Sequence, residues 1–178
     1  VSLEGITDGM AWTRAADRAA EFERLLVAHE RLVLRTALRI LGRLEDAQDA
    51  AQEVFLRLHR HFEKVEPATI EAWLYRTTVN VFYDAIRRRR PETGIDFDPA
   101  APRTGGTEAL EEAEKRQLVA EGLKRLPPRE RAAVVLCAIE GLETPRAAKI
   151  LGVSEATVRS QLSMARTKLK EFVGRFWR

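Results

Sequence analysis

The stretch Thr144–Lys170, TPRAAKILGVSEATVRSQLSMARTKLK, decides the fold. Thr144 followed by Pro145 places an N-cap hydroxyl before a proline at the first helical position, and Ala147, Ala148 and Leu151 give a short helix its inner face. Gly152 permits a turn, and Ser154 caps a second helix on which Val158, Leu162, Ala165 and Leu169 form one apolar stripe. Arg159, Ser163, Arg166 and Lys170 lie opposite that stripe. Between positions 142 and 178 eight basic residues stand against three acidic ones, a local excess of five positive charges. A short helix, a glycine turn and a second helix with a basic outer face form a helix-turn-helix, which sets a recognition helix in the major groove of duplex DNA. An ordinary helical hairpin is the competing reading, and the small Ala147 and Ala148, the LGVS turn and Val158 favour the tighter crossing. Glu155, Ala156, Arg159 and Ser160 occupy the first exposed turns, with Ser163 at the edge, where a bidentate base contact discriminates by about 1–3 kcal/mol. Arg166, Lys168 and Lys170 sit deeper and suit phosphates.

Ahead of this motif the periodic segments are helical. Phe22, Leu25, Leu26, His29, Leu32, Val33, Thr36, Ala37 and Ile40 recur every three to four residues, and Gly42 follows as a C-cap. A second helix over about 44–62 places Ala47, Ala51, Val54 and Leu58 on one face. A third, over about 70–90, ends at Pro91. The segment 91–107, PETGIDFDPAAPRTGGT, has three prolines, three glycines and no helical period, so it reads as a linker. Fully extended, it reaches roughly 55 Å, and on that reading the two halves need not touch. Beyond it, 108–125 is a charged helix with Glu108, Glu111 and Glu112 at its positive end, and Arg129–Glu140 is another, closed by Gly141. No strand-like alternation is present. The fold class is all-α: two small helical domains joined by a flexible linker, with 1–15 a disordered lead, 16–90 the first domain, 91–107 the linker and 108–178 the second.

Two further surfaces stand out. Glu45, Asp46, Asp49, Gln52 and Glu53 share one face of the second helix with no Lys or Arg among residues 44–53, which suits either a solvated surface or a docking face for a basic protein. On the third helix Arg76, Asn80, Tyr83 and Arg87 form a stripe that runs into Arg87–Arg90. An amide, an aromatic ring and guanidinium groups suit stacking and hydrogen bonding to unpaired bases, although a solvated face ending in dipole-compensating arginines has the same pattern. Trp73 reads as partly core.

Composition excludes several classes. The hydrophobic content of 45% supports packed cores, and a net charge of +3 says little until its distribution is considered. One cysteine, Cys137 within AAVVLCAIEGL, allows neither an internal disulfide framework nor a multi-cysteine zinc site, and reads as core packing in a reduced, cytoplasmic setting. No apolar run approaches the roughly 18 residues of a membrane span, and no signal pattern opens the chain. No nucleophile with a base, metal cluster or phosphate loop is evident, and His59 and His61 do not share a helix face, so neither catalysis, a metal nor a cofactor is expected.

In order, DAQDAAQEVFLRLHRHF, AWLYRTTVNVFYDAIRRRR, LPPRERAAVVLCAIEGL and LGVSEATVRSQLSMARTKL resemble the extracytoplasmic-function sigma factors of the sigma-70 superfamily. The resemblance spans about 22–172 apart from the linker. It implies a region 2, a linker and a region 4, and a transcription initiation factor that is monomeric when free, with core RNA polymerase, promoter DNA and an anti-sigma factor as partners. By the same resemblance Asp46, Asp49, Gln52, Glu53 and Phe55 fall on the motif that docks on polymerase. Arg76, Asn80, Tyr83, Asp84, Arg87 and Arg88 fall on the segment that engages the minus-10 element, and the loop over about 63–70 on the part that captures a flipped base. Glu155, Ala156, Arg159, Ser160, Ser163, Arg166 and Lys170 fall on the helix that reads the minus-35 element. Gln161 and Met164 replace basic residues usual in the family, and Glu143, Thr144 and Pro145 replace its serine-tyrosine start, so fewer phosphate contacts by region 4 are expected. Duplex opening must offset about 1.4 kcal/mol of stacking per step, so the free chain is not expected to melt DNA, while one flipped base costs only a few kcal/mol. A stand-alone regulator of the LuxR type has a similar C-terminal pattern but leaves the N-terminal half without a role. A module that only titrates an anti-sigma protein leaves both basic faces without one.

Overall fold

A computed structural model describes the backbone of residues 4–88 and 107–174, and side chains over 17–88 and 114–174. All regular structure among the described residues is helical. Helix α1 (Glu4–Leu41) begins well ahead of the start expected near 16, so much of the anticipated lead continues the first helix. It is followed by α2 (Leu44–His61), two 3-10 turns (Phe62–Lys64 and Pro67–Thr69) and α3 (Ile70–Arg88). These three helices pack through the stripes visible in the sequence. Val33, Ala37 and Ile40 of α1 meet Ala47, Val54 and Leu58 of α2 and Leu74, Val79 and Phe82 of α3, all at most 2% exposed. Thr36 and Thr78 lie in the same core, and the Thr78 hydroxyl donates to the Leu74 carbonyl at 2.8 Å, so its burial leaves no unmet donor.

The C-terminal half comprises α4 (Thr107–Lys124), α5 (Pro128–Val134), a π-helical turn (Val135–Ile139), α6 (Thr144–Leu151) and α7 (Glu155–Gly174). Helix α4 is pressed onto α7 at Gly122, where a Cβ would lie 2.9 Å from Leu169 Cδ2. Leu126, Leu136, Ala132, Ala147, Val158 and Ala165 fill the centre of this half. The expected linker lies outside the described residues except for Thr107, which opens α4, and so do Arg89 and Arg90, while Glu108, Glu111 and Glu112 fall in the first turns of α4 with only their backbone described.

The two halves touch, a contact that the reach of the linker neither required nor excluded. Arg131 of α5 is 6% exposed, and its guanidinium donates to the Ile40 carbonyl at the end of α1 (2.8 Å) and to the Lys124 and Leu126 carbonyls (2.8 and 3.1 Å). It lies 5.8 Å from the centre of the Phe82 ring of α3. One arginine thereby gathers helix ends from both halves. Burial lowers its pKa, and the three carbonyls supply the hydrogen bonds that water would otherwise make.

Candidate functional site

Three candidate surfaces are built by α7, α2 and α3. Residues 144–174 form the helix-turn-helix at the expected turn. Gly152 adopts φ +67°, a left-handed conformation that costs a residue with a Cβ about 1–2 kcal/mol, and its N–H closes α6 on the Ala148 carbonyl. The Ser154 hydroxyl accepts the Thr157 N–H at 3.1 Å, which is the cap read from the sequence. At the start of α6 the cap differs from expectation. Thr144 is already helical, and Glu143 is the cap position without a side-chain bond, its carbonyl accepting the Ala147 N–H at 2.9 Å. A proline one residue further in thus shifts the start by one.

Along α7, Val158 and Ala165 are buried and Leu162 and Leu169 half-buried, while Glu155, Ala156, Arg159, Ser160, Ser163, Arg166 and Lys170 are all exposed. Arg159 pairs with Glu155 at 3.2 Å, both partly in solvent, so this pair opens at little cost. Lys168, assigned to phosphates by its charge, instead reaches Glu130 of α5 at 2.6 Å. Gln161 is not on the basic face. It is 7% exposed, and its Oε1 has no hydrogen-bond partner.

On α2 the acidic set divides. Asp49 and Gln52 are exposed and Asp46 is half-buried, whereas Glu53 is engaged with Arg57 at 2.7 Å and Phe55 packs partly against the core. Arg57 also reaches Asp84 of α3 at 3.5 Å, and Asp84 holds Arg87 at 2.5 Å. Its guanidinium pKa is raised, chiefly by the hydrogen bond to Glu53. A chain Glu53–Arg57–Asp84–Arg87 therefore joins the acidic face to the end of α3. Asp46, Asp49, Glu53, Arg57, Asp84, Arg87 and Arg88 line one open groove there.

Arg76, Asn80, Arg87 and Arg88 are exposed and Tyr83 is half-buried, so the stripe on α3 exists as drawn. It is turned towards the helix-turn-helix. Arg76 Nη2 lies 3.6 Å from where a Cβ on Gly152 would stand, and Arg146 of α6 reaches Glu71 of α3 at 3.4 Å. Tyr83, Ile86 and Arg87 share a groove of about 980 Å³ with Pro127, Pro128, Ala156, Ser160, Gln161 and Met164. The loop over 63–70 is built from the two 3-10 turns, with Glu66, Pro67, Ala68 and Thr69 exposed. Trp73 is half-buried beside His61, and His59 meets Phe22 edge-on.

Sequence reasoning missed Glu140. Its side chain is 1% exposed and is held entirely by the other half: Arg35 at 2.5 and 3.3 Å, Arg39 at 2.7 Å, Thr36 at 3.4 Å and the Tyr75 hydroxyl at 3.3 Å. Burial pushes this carboxyl up, but the hydrogen bonds and charges of Arg35 and Arg39 outweigh it and hold it below the ordinary carboxylate range. Burial, then the Glu140 and Glu71 charges, push the Tyr75 phenol up to about 12, so it stays a donor. A signal was present, since a carboxylate just before the glycine that ends a helix opposes the helix dipole and needs a cationic partner.

Two family models match the chain, Sigma-70 region 2 over residues 25–92 and Sigma-70, region 4 over 116–169. The ECF RNA polymerase sigma factor SigE of Mycolicibacterium smegmatis is 36% identical over 169 residues, covering 89% of this chain and 65% of that protein. SigM of Mycobacterium tuberculosis, also an ECF RNA polymerase sigma factor, is 34% identical over 90% of this chain and 80% of its own length. Among solved structures, CnrH in complex with the cytosolic domain of CnrY is similar at a TM-score of 0.63 and 28% identity, covering 90% of this chain and 95% of CnrH.

Proposed function

Because the chain belongs to the extracytoplasmic-function group of the sigma-70 family and directs RNA polymerase to promoters, we propose that α2 docks polymerase while α3 and α7 read two promoter elements. It is not an enzyme. The observation that carries the assignment is the coexistence of three surfaces on one short chain: an acidic helix, a basic-aromatic helix and a basic recognition helix. A stand-alone DNA-binding regulator has no use for the first of these.

Asp49 and Gln52 make the polymerase contact, because they alone of the five α2 residues are exposed, with Asp46 at the margin. Glu53 acts through Arg57 by fixing the orientation of Asp84, and Phe55 anchors α2 to its own core. Arg76, Asn80, Tyr83, Asp84, Arg87 and Arg88 meet unpaired bases and backbone of the minus-10 element, and the 63–70 loop takes a flipped base. Glu155, Ala156, Arg159, Ser160 and Ser163 read the minus-35 duplex, with Arg166 and Lys170 on phosphates. Fewer region 4 phosphate contacts follow from Lys168 being engaged by Glu130. Among the described residues no helix is long and apolar enough to cross a membrane. The protein works in the cytoplasm, as a monomer until it meets polymerase, and an anti-sigma factor restrains it.

The test is run-off transcription with bacterial core polymerase and a promoter selected from a random library. Asp49→Arg with Gln52→Arg is expected to abolish transcripts while the thermal melt stays native. Transcription at the wild-type level by that variant refutes the docking assignment.

A further inference from the structure

We propose that Arg57 is a positioning residue for promoter reading: from α2 it fixes the Asp84 carboxylate on α3, and through Asp84 the direction in which Arg87 is presented to DNA. This rests on the assignment of α3 to the minus-10 element. Arg57 itself belongs to neither the docking set nor the reading sets. Its Nε donates to Glu53 Oε1 at 2.7 Å, and its Nη2 makes a looser contact with Asp84 Oδ2 at 3.5 Å. The other Asp84 oxygen, Oδ1, accepts from Arg87 Nη2 at 2.5 Å, and Arg88 Nε donates to the Asp84 carbonyl at 3.3 Å. One carboxylate thus stands between a guanidinium anchored on the neighbouring helix and a guanidinium that reaches into solvent, the Arg87 side chain being 76% exposed.

Stability does not account for this arrangement. The side chains of Arg57, Glu53 and Asp84 are 30, 35 and 32% exposed, and ion pairs so hydrated contribute little. Helices α2 and α3 are already joined through Val54, Leu58, Leu74 and Val79, all at most 2% exposed. What the chain of charges supplies is direction. A guanidinium presents its donors in one rigid plane, so an Nε bound to Glu53 dictates where Nη2 stands. Asp84 Oδ2 is drawn to that place, and Oδ1 then keeps Arg87 at one side of the α3 terminus. Without Arg57 the carboxylate turns freely and Arg87 samples its rotamers, and ordering such a side chain on binding lowers affinity by about two- to tenfold. A carboxylate offers about four lone-pair sites, so Asp84 keeps room to accept from a base while it is held.

The test is a double-mutant cycle on holoenzyme assembled from bacterial core polymerase and the full chain, with core at a concentration that saturates assembly for every variant. The probe is a fluorescent single strand carrying the minus-10 element of the promoter selected above, supplied as each of its two strands, and anisotropy gives the dissociation constant. Arg87→Ala is expected to weaken the tighter-bound strand by about tenfold or more, the loss of a charge-assisted contact. Arg57→Met, which keeps the stem and removes the fork, is expected to weaken it by about three- to tenfold. Arg57→Lys should lose a similar factor, because it restores the charge but a lone ammonium cannot span Glu53 and Asp84 in one plane. The variant carrying both Arg57→Met and Arg87→Ala is expected to bind no worse than Arg87→Ala alone, since nothing is left to position. Should the melt show that Arg57→Met is unfolded, Arg57→Lys takes its place in the cycle. Losses that multiply in the double variant, or wild-type binding by Arg57→Lys beside a weakened Arg87→Ala, overturn the positioning and leave the assignment of α3 standing. Wild-type binding by Arg87→Ala removes that assignment and the positioning with it.

Discussion

Glu140 sets a pH response at the scale of one residue. Its carboxyl titrates below the ordinary value of 4.5 when seated, because Arg35 and Arg39 outweigh the cost of burial. A group with a depressed native pKa contributes stability that is complete above its ordinary value and is lost as pH falls through the native one. The thermal midpoint of the wild-type chain should therefore exceed that of Glu140→Gln by a constant amount from pH 7 to about 5, and the difference should shrink below about 4.5. A gap that widened on acidification would contradict the assignment. Cys137 is the other informative single residue. It is half-buried at the edge of the core, and burial raises its thiol pKa, so the reactive thiolate is scarce. Alkylation by iodoacetamide at pH 8 should be about tenfold slower in the folded chain than in urea. Comparable rates would mean that the core around Leu136 opens readily.

At the scale of elements, much of the C-terminal half was legible because short-range chemistry fixes it. Gly152 and Ser154 stand where a turn needs a left-handed residue and a helix needs a hydroxyl, and both act that way. The nearest neighbour to a Cβ on Gly152 is 3.6 Å away, so Gly152→Ala should cost the backbone term alone, about 1–2 kcal/mol. Ser154→Ala should cost about 1 kcal/mol through the lost cap, and urea denaturation measures both. Charge and resemblance misled where they could not report a partner's identity. Gln161 stands where the family usually has a basic residue, yet it lies on the inner side of α7 beside Val158 and Ala165 and is 7% exposed. Lys168 counts as a phosphate ligand by charge, yet it neutralises Glu130, which is 5% exposed. The two lysines and arginines of α7 should therefore separate experimentally. Arg166→Ala is expected to lower the slope of log binding constant against log salt by about 0.9, the signature of one lost phosphate. Lys168→Ala should leave that slope unchanged and destabilise the half by about 1–3 kcal/mol, a buried-pair loss discounted for the exposure of the lysine.

At the scale of the whole molecule, the sequence declared two helical halves and a linker but not their contact, because the contact depends on residues scattered at 35, 39, 75, 131 and 140 with no periodic signal between them. Their meeting is a tertiary fact. It bears directly on function through length. The minus-10 and minus-35 elements lie about 25 base pairs apart by their designations, roughly 85 Å of duplex at about 3.4 Å per base pair. A molecule in which Tyr83 and Ser160 line one groove cannot occupy both at once. On the proposed assignment of α3 and α7, initiation requires the halves to part. A covalent bridge across the junction should block that step without touching either reading surface. Glu71 and Arg146 face each other at 3.4 Å, both partly in solvent, and so give an exposed place for one. The chain with Cys137→Ala, Glu71→Cys and Arg146→Cys, joined by a thiol-cleavable bis-maleimide, is expected to lose at least about tenfold in run-off transcription from a promoter that depends on both elements. Cleaving the bridge should restore the yield, which separates locking from damage. The uncrosslinked variant should transcribe normally, because an exposed ion pair contributes only about 0–1 kcal/mol. Full activity in the bridged state would mean that both elements are read without separation, and the two-point assignment of α3 and α7 would fall with it.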